Sequence, residues 1–185
     1  MPETIILLGE EKMEKTLESL KKEFTNIRTG RANPQILNGL TVDYYGVPTP
    51  INQMSSISVP EAQLLQIKPY DKGTLKDIEK AILASSLGLT PLNDGSVIRI
   101  NFPALTEQRR RELAKQVKST SENAKVAIRN IRRDVNEQLK KLEKDNQISE
   151  DELKGYNDDV QKMTDSWIEK IDQAAKEKEK LIMEI

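Results

Sequence analysis

Apolar residues at Met13, Leu17, Leu20, Phe24 and Ile27 recur at intervals of 4, 3, 4 and 3, which is one stripe of an amphipathic helix. The pattern stops at Thr29-Gly30, and Asn33-Pro34 follows. Glycine closes helices and proline cannot continue them, so a helix from about residue 10 is expected to end near residue 30. A second periodic stretch carries Leu113, Val117, Ala124, Ile128, Ile131, Val135, Leu139 and Leu142 with no Gly or Pro across it. Thr106 suits its N-cap and Glu107 the positive end of its dipole. A helix from 106 to about 143 is roughly 57 Å long. A third stripe, Leu153, Tyr156, Val160, Met163, Trp167, Ile171, Ala174 and Leu181, follows Ser149-Glu150-Asp151-Glu152. Ser149 and Glu152 have the spacing of a capping box.

Residues 31–104 differ. All the prolines except Pro2 lie here. Period-2 or β-branched runs occur at 40–45 (Leu-Thr-Val-Asp-Tyr-Tyr), 57–59, 64–67 and 97–102, separated by turn signals such as Gly46-Val47-Pro48 and Asn93-Asp94-Gly95. Tyr44 and Tyr45 are expected to alternate across the first strand. One helical face, Leu75, Ile78, Ile82 and Leu83, is expected to end at Gly88. This predicts a small module of about four strands and one helix.

None of the three long helices buries its stripe alone. The economical solution is an α+β chain: an antiparallel three-helix bundle from 1–30 and 105–185, with 31–104 inserted as a β/α/β domain. The chain then crosses between domains twice, at Gly30-Arg31 and at Pro103-Ala104-Leu105. Two covalent strands permit bending but restrict free tumbling, so these positions are the expected hinge.

Composition narrows the chemistry. The 185 residues contain no Cys and no His, which removes disulfides, thiol nucleophiles, zinc thiolate sites and the usual imidazole base. The acids are spread over helical surfaces, so enzymatic catalysis is disfavoured and no catalytic residue is assigned. No Walker or dinucleotide pattern surrounds the glycines. Glu150-Asp151-Glu152 and Asp158-Asp159 are adjacent acids that do not converge, so capping and solvation explain them and no metal or cofactor is expected. Trp167 lies on the core stripe and is assigned to packing. Residues 5–8 form a short apolar run without a preceding basic region, unlike a signal peptide, and no stretch approaches a membrane span. The chain is expected to be soluble, cytoplasmic and monomeric, with no membrane partner.

The net charge of −1 conceals a sorted distribution. Residues 105–142 hold eleven Lys/Arg against five Asp/Glu, a local +6, whereas residues 143–185 hold seven against thirteen, a local −6. At about 100° per residue and with Lys118 at zero, the apolar stripe falls near −140° to −80°. Arg111, Lys115, Lys125, Arg129, Arg132, Arg133 and Lys140 fall within about 60° of zero. A charged outer face commonly serves solvation alone. Here the arc has few acids, Glu122 being the main one, and the neighbouring helix carries the opposite sign, which favours a phosphate-reading surface. No aromatic residue interleaves the cations, so structured RNA read through backbone and shape fits better than a stacked single strand.

Several segments together resemble the ribosome recycling factor family. They are Ile27-Arg28-Thr29-Gly30-Arg31-Ala32, Tyr44-Tyr45-Gly46-Val47-Pro48-Thr49-Pro50, Glu79-Lys80-Ala81-Ile82 with Leu87-Gly88-Leu89, Leu105-Thr106-Glu107-Gln108-Arg109-Arg110 and Val126-Ala127-Ile128-Arg129-Asn130-Ile131-Arg132-Arg133-Asp134. Their order and register cover essentially the whole chain. The resemblance implies an L-shaped molecule of a three-helix bundle and a β/α/β domain on a flexible hinge. It implies a factor that hydrolyses nothing itself and splits the post-termination ribosome with elongation factor G and GTP, its bundle lying on large-subunit rRNA near the inter-subunit bridge. By position, it implies that Arg110, Arg129 and Arg132 contact that RNA and that Arg28 and Arg31 are basic positions at the hinge end. Lys118, Lys125 and Arg133 join the expected RNA-binding set from the stripe itself. Arg129 and Arg132 lie on that stripe, while Arg110 lies about 80° off it, toward the core side. Gln108 departs from the family, which commonly has an acid there. A helical adaptor for a protein partner and a general binder of structured RNA are the alternatives.

Overall fold

The computed structural model describes residues 1–85 and 87–184. Three long helices, α1 (Pro2–Asn26), α4 (Glu107–Lys144) and α5 (Glu150–Met183), enclose in sequence a segment with strands β1 (Thr41–Tyr44), β2 (Val47–Pro50), β3 (Ser55–Glu61), β4 (Leu64–Pro69), β5 (Pro91–Asn93) and β6 (Ile98–Asn101). That segment also holds a single helical turn, α2 (Ile51–Met54), and the ten-residue α3 (Leu75–Ala84). Contacts group the chain into two units: Met1–Phe24 with Arg111–Lys180, and Thr25–Arg110 with Leu181–Ile185.

In the first unit the stripes read from sequence are the buried faces. Met13, Leu17, Leu20 and Phe24 of α1 are buried or nearly so, as are Leu113, Val117, Ala124, Ile128, Val135 and Leu139 of α4. α1 begins at Pro2, a full two turns before the expected start. Proline suits the first turn, where its missing N–H has no helical acceptor to lose. Ile5 and Ile6 then pack against a cluster of Val135, Leu139 and Val160. Gly9 allows the close approach behind that cluster, because a Cβ there would lie 2.5 Å from Val135 Cγ2. Along α5 the buried face drifts: Val160, Trp167 and Ile171 are followed by Ala175 rather than Ala174. At the end of the helix Ile182 is buried, and Leu181, placed on the stripe by the sequence reading, is exposed.

The second unit departs further from the sequence reading. β2 and β5 add to the strands that the sequence pattern predicts; both are short and contain prolines, which hide them from that pattern. Both lie at sheet edges, where a missing N–H breaks no ladder bond. β1 and β2 form a two-stranded hairpin, and β3-β4-β6-β5 an antiparallel sheet. Tyr45 is not a strand residue: with φ 51° it precedes Gly46 at φ 82°, the left-handed pair of a type I′ hairpin turn. Tyr45 is therefore 84 % exposed, whereas Tyr44 packs on the core. α3 ends at Ala84, with Ser85 Oγ donating to the Ile82 carbonyl, four residues before Gly88. Leu83 points outward rather than sharing the face of Ile78 and Ile82. That face and the inner residues of β4 and β6, Leu65, Ile67, Ile98 and Ile100, form the core, which Phe102 closes.

Candidate nucleic-acid interface

The helix that carries the cations is fixed at its start by its own cap. Thr106 Oγ1 accepts from the Arg109 backbone N–H at 3.1 Å, satisfying one of the first-turn donors. Its packing partner α5 starts with a reciprocal pair: the Glu152 N–H donates to Ser149 Oγ at 3.0 Å and the Ser149 N–H to Glu152 Oε1 at 3.3 Å. With both starts set and the apolar faces buried, the outward arc of α4 follows from helical geometry.

Within the first unit, Lys118, Arg129 and Arg133 are exposed, and Arg132 and Lys125 are half-buried. The half-buried pair lies at about −40° and −20° on the helical projection, the edge of the arc nearest the core stripe. Both reach α5. Lys125 Nζ forms ion pairs with Asp172 and, at 3.4 Å, with Glu122. The hydrogen bond to Asp172 raises the Lys125 pKa above the ordinary lysine value, against a smaller lowering by burial. Arg132 donates to Gln161 Oε1 at 3.3 Å, and Gln161 Nε2 donates to Asp165 Oδ1 at 2.9 Å. Lys125 is thus held by protein carboxylates, while the partner of Arg132 among the described residues is a neutral amide oxygen. Glu122, Gln161, Asp165 and Asp172 were missed as participants. A signal existed: Lys125 and Arg132 are seven residues apart, as are Asp165 and Asp172, the interval of a seam between packed helices.

The remaining expected residues lie in the second unit. Arg110 is half-buried and its Nε is buried without a hydrogen-bond partner. Arg31 is exposed and pairs with Glu184 at 3.3 Å. Both line a cavity of about 460 Å³ with Gly30, Ala104, Leu105 and Glu184. Arg28 donates to the Pro103 carbonyl and its guanidinium lies 5.7 Å from the Phe102 ring centroid. Burial, and secondarily the like charge of Arg109, lower its pKa. The five expected hinge residues, Gly30, Arg31, Pro103, Ala104 and Leu105, all belong to this unit. Leu105 is buried and Pro103 and Ala104 are exposed.

A sequence model of the ribosome recycling factor family matches residues 20–183. The chain belongs to this family. It is 64 % identical over the full length of both chains to the ribosome-recycling factor of Geobacillus sp. (strain WCH70) and 63 % to that of Geobacillus kaustophilus. The Listeria welshimeri ribosome-recycling factor is 57 % identical, again end to end. Among solved structures, a solution structure of the ribosome recycling factor superposes with a TM-score of 0.84 at 40 % identity, covering 100 % of this chain and 98 % of that one. A second, described as the Thermus thermophilus ribosome recycling factor and the E. coli elongation factor G bound to the E. coli post-termination complex, gives 0.70 at 43 % identity with both chains fully covered.

Among the described residues no group of three or more Asp, Glu, His or Cys gathers as a metal site, and no helix is long and apolar enough to cross a membrane.

Proposed function

We propose that this ribosome recycling factor family member binds the post-termination ribosome through the outward cations of α4 and, with elongation factor G and GTP, promotes separation of the subunits. The observation that carries the reading is the predominantly basic arc of one rod: Lys118, Arg129 and Arg133 exposed, Arg132 beside them with a neutral partner, and an adjacent helix of opposite net charge. Cations spaced from Lys118 to Arg133, about 22 Å along the helix, suit the phosphates of a folded RNA, and the guanidinium groups among them can donate bidentately. The target is large-subunit rRNA, with Arg110 contributing from the first turn of the helix. Lys125 serves the α4–α5 seam, since its ammonium already has two carboxylates.

The chain performs no chemistry of its own in this scheme. It is a non-enzymatic factor whose helical part, 1–30 and 105–185, anchors on RNA while the inserted 31–104 moves about the strands at Gly30-Arg31 and Pro103-Ala104-Leu105 when the GTPase pushes. That movement disrupts contacts between the subunits, and the place of action is the cytoplasm. Sedimentation with salt-washed large subunits, small subunits and bulk duplex RNA tests the reading. Co-sedimentation with large subunits alone is expected. Equal binding to all RNA would instead indicate a general RNA binder, and none at all an adaptor for proteins.

A further inference from the structure

The family resemblance treats Arg28 as one more basic position at the hinge end, but its surroundings give it different work. Its terminal nitrogen donates to the carbonyl of Pro103, a residue 75 positions away in sequence. Its guanidinium lies over Phe102 at 5.7 Å, within cation–π range. Phe102 is itself fixed: the residue is 1 % exposed in the core of the second unit and its N–H donates to the Gln63 carbonyl at 2.8 Å. On the incoming side the Ala32 N–H donates to the Ala62 carbonyl at 2.8 Å. The incoming strand, the β3–β4 turn at Ala62-Gln63 and the outgoing strand are therefore laced in that order. Arg28 closes the loop from the first to the last. With its terminal nitrogen on the Pro103 carbonyl and its face over the Phe102 ring, Arg28 is committed to protein rather than to solvent or phosphate.

We propose that Arg28 is a positioning residue that braces the two strands at Gly30-Arg31 and Pro103-Ala104-Leu105 into one pair, and that it contacts no RNA. A two-strand connection transmits a push on the inserted segment only if the strands move together; slack between them absorbs it. The brace needs a planar cation that stacks on Phe102 while its edge reaches the Pro103 carbonyl, and the compact ammonium of lysine does not reproduce that geometry. The transmission part of this inference rests on the recycling function proposed above.

The test uses full-length Arg28→Ala and Arg28→Lys, with Arg129→Ala as the comparison. Loss of hydrogen-exchange protection at the Ala32 and Phe102 amides is expected in Arg28→Ala and is not restored in Arg28→Lys. In recycling with large and small subunits, elongation factor G and GTP, the maximal rate should fall roughly three- to tenfold in both variants, at an unchanged half-saturating concentration. The salt slope of large-subunit binding should match wild type. A slope reduced by about one in Arg28→Ala and restored in Arg28→Lys would overturn the proposal in favour of a phosphate contact. Retained protection at both amides would also overturn it. The exchange readout needs no ribosome, so it decides the brace even if Arg129→Ala shows that the RNA reading is wrong.

Discussion

At the scale of single residues, Asp94 shows how one carboxylate builds a turn. Its Oδ1 accepts from the Ser96 and Val97 N–H groups, both at 2.9 Å, and its Oδ2 pairs with Arg99 at 2.8 Å. The bonds to Val97 and Ser96 lower its pKa below the ordinary 3.8. A carboxylate depressed in the folded state contributes stability that is present above its unfolded value and lost as pH falls through the folded one. Asp94→Asn should therefore melt below wild type at neutral pH. The gap should narrow as pH is taken below 3.8, which thermal melts across an acid series will check. Gly9 makes a steric prediction. A methyl group there meets Val135 Cγ2 at 2.5 Å, so Gly9→Ala should destabilise by about 1–3 kcal/mol in denaturant titration despite alanine's better helix propensity.

At the scale of elements, legibility followed the strength of the local signal. α4 and α5 were readable because each has a long stripe and a side-chain cap, and the caps formed as the Thr106 and Ser149 positions suggest. Ser149→Ala should cost about 1 kcal/mol and chiefly fray the start of α5, visible as faster amide exchange over Glu150–Leu153. The first turns of α1 were not readable, because four consecutive apolar residues, Ile5 to Leu8, carry no period. Only the packing of Ile5 and Ile6 on α4 and α5 residues decides them. β2 and β5 were hidden by their prolines and by their length. Tyr45 was misplaced because a two-residue turn at Tyr45-Gly46 reads, in sequence, as the end of a strand. The cation arc was legible from α4 alone; the division of labour within it was not. Which cations meet carboxylates depends on the register of α5, and that register places Asp172 on Lys125 and Gln161 on Arg132.

At the scale of the whole molecule, the charge sorted between α4 and α5 underlies the proposed RNA anchoring. Arg132→Ala should lower ribosome affinity and recycling while leaving the melting temperature nearly unchanged, because its one described protein partner is an exposed amide. Lys125→Ala should behave in the opposite sense, with a lower melting temperature and little change in affinity, since it loses the link to Asp172. The most direct test is a salt titration of full-length wild type and Arg129→Ala binding to salt-washed large ribosomal subunits. The logarithm of affinity is expected to fall linearly with the logarithm of salt concentration, with a slope shallower by about one for Arg129→Ala. A flat wild-type response, or identical slopes in the two proteins, would contradict the proposed anchoring.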